Sequence, residues 1–284
     1  MPKVKEIVTH IGPAHRDEFV AVGLLLAGLN PTLPVYRREP SQKDLDDPCV
    51  LVVDVGGSFD LEKGNLDHHQ LPREHAPVCS ITQVLHYLKI DMGLARNVWN
   101  WLVPSEQLDS KGPYEVAKAY GMPSEAVFAM QSPVEVAILN LFSKCSAALP
   151  GDFVHKAMFE VGASNLMYLE NVQRRLARLS KEALFSEIGD VRILNTTSIP
   201  GDEQPSLGVE MFLKESPSKN ETEVVVSRDD RGEGLTLFRR NNSPKIDFSK
   251  LEGKPGVVFA HKGGFIAKVT ATAPWRELIA EARV

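Results

Sequence analysis

"CVLVVDVGG", residues 49–57, is a run of apolar residues carried to an aspartate and closed by two glycines. A Val/Leu run without polar alternation reads as a strand covered on both faces, as in a parallel sheet packed between helices. Upstream, "VKEIVTH" (4–10) is a second strand-like run, broken by Gly12 and Pro13. "DEFVAVGLLLAGLN" (17–30) then reads as a helix, with Asp17 and Glu18 at the positive end of its dipole. Downstream, "SITQVLHYL" (80–88) reads as a helix with Ser80 and Gln83 at capping-box spacing. Strands alternating with helices predict an α/β fold with a largely parallel sheet and flanking helices.

Residues 114–147 read as mainly helical, and the longest helical pattern runs from His155 to Phe185. Leu169, Val172, Leu176 and Leu179 form one apolar stripe along it. After it the texture changes. "VRILNTT", "LGVEMFL", "TEVVVSR" and "GLTLFRR" are short strand-like runs, "KPGVVFAHKGGFIAKVTA" adds two more, and "APWRELIAEARV" reads as a terminal helix. The expected organisation is a catalytic domain over 1–148, a helical connector over 149–188 and a smaller α+β domain over 189–284.

The chain has 284 residues and a net charge of −5, so no global field favours a polyanion. Cys49, Cys79 and Cys145 are widely spaced and suggest neither a disulfide framework nor a zinc knuckle. The start of the chain lacks a signal-type apolar run, and "FVAVGLLLAGL" is too short to span a bilayer. The expectation is a soluble cytoplasmic protein with no membrane partner. Oligomeric state is left open, a dimer included.

In parallel α/β sheets, ligands collect at the carboxyl ends of the strands. His10, His15 and Asp17 follow the first strand, Asp54 follows the second, and "GNLDHHQLP" (64–72) brings Asp67, His68 and His69. Taken singly, each has a structural explanation: a strand-end hydrogen bond, a helix cap, a turn. Taken jointly, imidazoles and carboxylates at three successive strand ends suit a divalent cation, and hard oxygen donors favour Mn²⁺ or Mg²⁺. The number of donors suits two ions, which in such pairs lie roughly 3.5–4 Å apart. His75, His86 and His155 match no motif and are expected in core or surface roles. Trp99 and Trp101 are expected to pack.

"THIGPAHRDE", "VVDVGG" and "LDHHQ" together resemble the DHH phosphoesterase superfamily, and more closely its Myg-type branch. "LDSKGP" (108–113) is similar to a further aspartate loop of that branch, and "FAHKGGFI" (259–266) to a segment near its C-terminus. Pro13, Ala14 and Arg16, the Ser-Lys pair after Asp109, and the lack of a tryptophan over 205–250 depart from its pattern. The resemblance implies that His10, His15, Asp17, Asp54, His68 and Asp109 bind two divalent cations, Mn²⁺ in preference to Mg²⁺. His69 would then face the scissile phosphate as a hydrogen-bond donor or complete a metal shell, and Asp67 would orient a histidine.

The implied activity is hydrolysis of phosphoesters by an activated water, foremost as a 3′–5′ exonuclease on RNA or short oligonucleotides. A small-molecule nucleotide or pyrophosphate phosphatase is the alternative, ahead of a non-catalytic nucleotide- or RNA-binding protein. The partners would be nucleic-acid ends, oligonucleotides or nucleotide phosphates. His261, Lys262, Gly263 and Gly264 would hold the rest of the substrate, with Arg239 and Arg240 as a basic wall. The bland readings are a hairpin turn for "HKGGF" and a solvated strand end for "FRR".

Overall fold

The computed structural model describes residues 3–72, 74–199 and 204–284. The chain forms two compact units, one up to Leu169 and one from Glu170, so the division falls inside the long helix. The sequence texture had placed it near residue 188.

In the first unit, β1 (Glu6–Thr9) leads to α1 (Arg16–Gly28), β2 (Val35–Arg37), α2 (Gln42–Asp46) and β3 (Val50–Val53). There follow β4 (Phe59–Asp60), β5 (Asn65–Leu66), α3 (Ser80–Tyr87), α4 (Met92–Val98) and α5 (Leu102–Ala119). α6 (Ser124–Ala129), α7 (Pro133–Ser143), β6 (Ala147–Ala148) and α8 (Phe153–Glu182) complete the series. The sheet order is β4-β5-β3-β1-β2-β6. β1 is parallel to β2 and β3, and β3 is parallel to β5, while β4 and β6 are antiparallel edges. All four residues of β3 are buried, which is why that strand reads as an apolar run. α1 buries ten of its thirteen residues, including Asp17 and Glu18.

Two glycines let α8 approach α1. A Cβ on Gly162 would overlap the carbonyl of Gly23, and one on Gly23 would overlap the carbonyl of Met158. Only a residue without a side chain allows backbones that close.

The second unit holds β7 (Leu184–Ile188), β8 (Val191–Asn195), α9 (Val209–Lys214), α10 (Pro217–Asn220), β9 (Val224–Arg228) and β10 (Leu235–Arg239). β11 (Val257–Ala260), β12 (Ile266–Val269) and α11 (Trp275–Glu281) follow. Its sheet order is β11-β12-β10-β9-β8-β7, antiparallel except for the parallel β8–β9 pair. A core including Val191, Val226, Leu237, Phe248 and Ile279 lies on one face. A second core, including Leu179, Leu194, Phe212 and Val225, lies on the other.

Three local expectations are corrected. "LGVEMFL" is a helix, because Val209, Phe212 and Leu213 bury one face at helical spacing. "LFSEI" leaves the long helix and pairs with β8. The cap of α3 is Cys79 with Thr82, whose hydroxyl accepts the Cys79 N–H at 3.3 Å, and Ser80 points elsewhere. No helix among the described residues is long and apolar enough to cross a membrane.

Candidate metal centre

β1, β3 and β5 lie side by side and run the same way, so His10, Asp54 and Asp67, each one residue past its strand, emerge at one sheet edge. α1 begins at this edge and adds His15, its N-cap, and Asp17 in its first turn. Asp109 comes from α5, ahead of the break at Gly112 (φ 79°, ψ 165°). α5 is tied to α3 and to the segment just before it. The Ser110 hydroxyl donates to the Val78 carbonyl at 2.6 Å, and the Thr82 hydroxyl donates to Glu106 at 2.8 Å.

The side chains converge. Donor atoms of His10, His15 and Asp54 lie within 4.8 Å of one another, as do those of Asp17, His68 and Asp109. Asp54 connects the two sets, with Oδ2 3.5 Å from His10 Nε2 and Oδ1 3.3 Å from His68 Nε2. His68 Nε2 also lies 2.8 Å from Asp109 Oδ2. Asp54 holds a left-handed backbone conformation, φ 60°, which costs energy for a residue with a side chain. Aspartate tolerates it better than most.

Asp67, His68, His69 and Asp54 form a third close group, but Asp67 is already satisfied. Its Oδ2 accepts the Gly57 N–H at 2.6 Å. Its Oδ1 accepts the backbone N–H groups of His68 (2.7 Å) and His69 (3.1 Å) and meets His69 Nδ1 at 2.7 Å. Asp67 therefore fixes the loop and the His69 ring, while His69 itself is largely exposed.

Two observations test whether these residues fit cations. Four buried polar atoms here, His10 Nε2, Asp17 Oδ2, His68 Nε2 and Asp109 Oδ2, lack a partner in hydrogen-bond geometry. Buried polar atoms are rarely left so. His10 Nδ1 meets the Ile11 carbonyl at 2.8 Å, which requires a proton on Nδ1 and leaves a neutral ring's lone pair on Nε2, facing carboxylates. Separations of 2.8–3.5 Å between such donors are also close to the ~3 Å edges of a shell about a small cation with ~2.1 Å bonds. The donor set fits divalent cations.

The electrostatics agree. Burial, then the Asp54 and Asp109 carboxylates, push the Asp17 carboxyl up to about 8. Asp54 and then Glu18 raise His10 to about 10. Burial opposes charge on His68, but Asp109 and Asp54 outweigh it and raise that ring to about 10 as well. Burial likewise opposes the Asp54 charge, yet His10, His68 and Ser80 hold its carboxyl below the usual range. The carboxylates thus create a strong demand for positive charge. Cys79 lies close by, but burial and then Asp17 push its thiol up, so it stays neutral and is no thiolate ligand.

Three residues of the centre escaped the sequence reading as site residues. Ser80 donates its hydroxyl to Asp54 Oδ1 at 2.7 Å. Glu18, fully buried, accepts from the Thr9 hydroxyl at 2.8 Å and the His15 N–H at 3.3 Å. Arg37, also buried, places Nε 3.5 Å from Glu18 Oε1 and its guanidinium over the Phe142 ring.

The residues expected to hold substrate belong to the second unit. His261, Lys262, Gly263 and Gly264 form the β11–β12 turn, and Gly264 takes φ 66°. The His261 Nδ1 accepts the Gly263 N–H at 2.9 Å, so the other ring nitrogen is left to donate. His261 and Lys262 line a cleft of about 680 Å³ with Val257, Val258 and Phe259. A cleft of about 980 Å³ elsewhere in this unit, lined by Asp229, Asp230 and Trp275, contains none of the expected residues. Arg239 donates to the carbonyls of Ile246 and Gly263. Arg240 is buried, with all five N–H donors engaged by Glu210, Asn220 and Thr222, so it forms no part of an exposed basic wall. Trp99 is buried and stacked on Trp101 at 5.5 Å, as packing requires, and buried His155 meets the Leu33 carbonyl at 2.8 Å.

Comparison with known proteins finds a family match over part of the first unit. Residues 6–80 match the family model MYG1_exonuc, described as "Uncharacterised protein family (UPF0160)". A MYG1 protein of Chlamydia pneumoniae is 33% identical over 87 residues, covering 30% of this chain and 29% of that protein. The MYG1 exonuclease of Bos taurus is 40% identical over 68 residues, covering 22% of this chain and 16% of that protein. The match thus spans less than a third of either relative's own length. The first unit of this chain is similar to Myg-type proteins over the stretch that carries His10, His15, Asp17, Asp54, His68 and Ser80.

Proposed function

We propose that this protein is a divalent-cation-dependent phosphoesterase of the DHH type that removes nucleotides from the 3′ end of RNA or short oligonucleotides. The observation that carries the reading is the set of buried imidazole and carboxylate atoms on His10, Asp17, His68 and Asp109 that lack hydrogen-bond partners, gathered about Asp54 at the carboxyl edge of the sheet. The name of the bovine relative supports nucleic acid as the substrate class.

In this reading His10, His15 and Asp54 would hold one cation, and Asp17, His68 and Asp109 would hold another, with Asp54 between the two sets. Manganese suits this mixture of imidazole and carboxylate better than magnesium does. Such ions lower the pKa of water and offset the charge of phosphate oxygens. The chain's own residues supply the rest. Asp67 is the leading cause of the raised His69 pKa, which favours the imidazolium. The Asp67 bond to Nδ1 leaves the His69 Nε2–H as a donor toward a phosphate oxygen. Ser80 keeps one oxygen of Asp54 in place.

The test is turnover of a panel of labelled RNA, DNA, dinucleotides, nucleoside phosphates and pyrophosphate, with Mn²⁺ and with chelator. Manganese-dependent shortening of RNA from its 3′ end is expected, abolished by Asp54→Asn. Turnover of mononucleotides or pyrophosphate alone would replace the exonuclease with a small-molecule phosphatase. No turnover of any of these by cation-loaded protein would replace the enzyme with a binding protein.

A further inference from the structure

Glu18 is the most completely buried carboxylate at the centre, and its two oxygens have different surroundings. Oε1 accepts the Thr9 hydroxyl at 2.8 Å and lies 3.5 Å from Arg37 Nε. Oε2 accepts the His15 N–H at 3.3 Å and lies 3.0 Å from His10 Nε2. Arg37 therefore offsets the charge from the Oε1 side, away from the imidazole.

The contact between Oε2 and His10 is the informative one. His10 Nδ1 meets a carbonyl and must carry a proton, so Nε2 of the neutral ring has only a lone pair to offer. That atom has no partner in hydrogen-bond geometry, although Glu18 Oε2 is 3.0 Å away and Asp54 Oδ2 is 3.5 Å away. A neutral His10 and the Glu18 carboxylate 3.0 Å apart in a buried site repel unless a positive charge lies against both, which is a proton on Nε2 when no cation is bound and the cation when one is. The separation is that of adjacent ligands on one cation with bonds of ~2.1 Å.

We infer that Glu18 is a fourth protein donor, through Oε2, to the cation held by His10, His15 and Asp54. This rests on the cation reading above. It makes that position a pair of imidazoles and a pair of carboxylates, one of them anchored from behind by Thr9 and Arg37. The anchoring sets the orientation of the carboxylate before the ion arrives, and the His15 N–H bond couples it to the loop that carries both imidazoles. Thr9 and Arg37 are positioning residues here, because they act through Glu18.

The experiment is anomalous diffraction at the manganese edge on crystals of the full chain soaked in Mn²⁺, joined to calorimetric Mn²⁺ titration of wild type, Glu18→Gln and Thr9→Val. A manganese peak bonded to His10, His15 and Asp54 with Glu18 Oε2 at about 2.1–2.4 Å is expected. Glu18→Gln is expected to weaken one binding event at least about tenfold, and Thr9→Val to change it less. A peak on His10, His15 and Asp54 with Glu18 Oε2 more than about 3 Å away overturns the Glu18 assignment alone, as does unchanged affinity in a folded Glu18→Gln protein. No manganese at these residues overturns both this assignment and the cation reading beneath it.

Discussion

Ser80 Oγ lies 2.7 Å from Asp54 Oδ1 and donates to it in a buried setting. Oδ1 is also the oxygen 3.3 Å from His68 Nε2, while Oδ2 faces His10. The hydroxyl thus fixes how the carboxylate that connects the two donor sets is turned. Ser80→Ala leaves the fold's apolar packing intact and removes that restraint. The expected result is a loss of Mn²⁺ affinity of about 10–100-fold, the usual effect of removing a partner behind a ligand. The loss of folding stability in chelator should be only about 1 kcal/mol. Calorimetric titration and urea denaturation read the two quantities separately.

His69 is expected to part from the other imidazoles in its effect. Its Nδ1 is held by Asp67 and its ring is largely exposed, so it contributes to no buried donor set that lacks a partner. His69→Ala should retain the wild-type manganese stoichiometry and lose roughly 10²–10³-fold in turnover, the scale of losing one donor to a developing oxyanion. Loss of a bound ion in that variant would make His69 a ligand instead.

Cation-free protein should lose stability as pH rises from neutrality to about 10. His10 and His68 are raised from the ordinary 6.5 to about 10, and Asp17 from the ordinary 3.8 to about 8. A group whose folded pKa is raised binds its proton more tightly in the folded state. Its stabilisation is complete below the unfolded value and disappears as pH climbs through the folded one. Asp54 has the opposite sign, but its lowered value makes its contribution complete before neutrality. Bound cations replace these protons, so Mn²⁺ binding should release protons at pH 7–8 and its affinity should rise with pH. Denaturation midpoints in chelator and in Mn²⁺ across pH 6–10, with calorimetry in two buffers, measure both.

Gly162→Ala tests the packing that holds α1, and with it His15, Asp17 and Glu18, in place. The added methyl meets the Gly23 carbonyl, which is backbone and has nowhere simple to move. Overpacking of this kind costs about 1–3 kcal/mol. A lower denaturation midpoint is the expected result, and an unchanged one would mean that α8 shifts freely along α1.

The donor set was legible in the sequence because strand ends are legible. The apolar run before Asp54 and the shorter one before His10 mark two carboxyl edges of a parallel sheet, and their order in the chain brings them together. Asp109 was reachable only through the family resemblance, since no periodicity singles it out on α5. Ser80 was misread because a serine three residues before a glutamine has the spacing of a helix cap whether or not its hydroxyl turns inward. Glu18 suffered the same fate, since an acid in a first turn is explained by the dipole before any ion is considered. Arg37 left no local signal, because its burial depends on Glu18 and Phe142, distant in sequence. The texture of "LGVEMFL" misled because Leu207, Val209, Met211 and Leu213 alternate as a strand would, while the buried face follows Val209, Phe212 and Leu213. That choice between periods was made by the core they pack on.

The number of manganese ions bound by chelator-stripped, refilled protein, measured by equilibrium dialysis with metal analysis for wild type and Asp54→Asn, addresses the central claim most directly. Two ions per chain in the wild type are expected, with at least one lost or weakened beyond about tenfold in the variant. A wild-type protein that stays folded and binds no manganese, or an Asp54→Asn protein that binds it as tightly as wild type, would contradict the assignment of these strand ends as a cation centre.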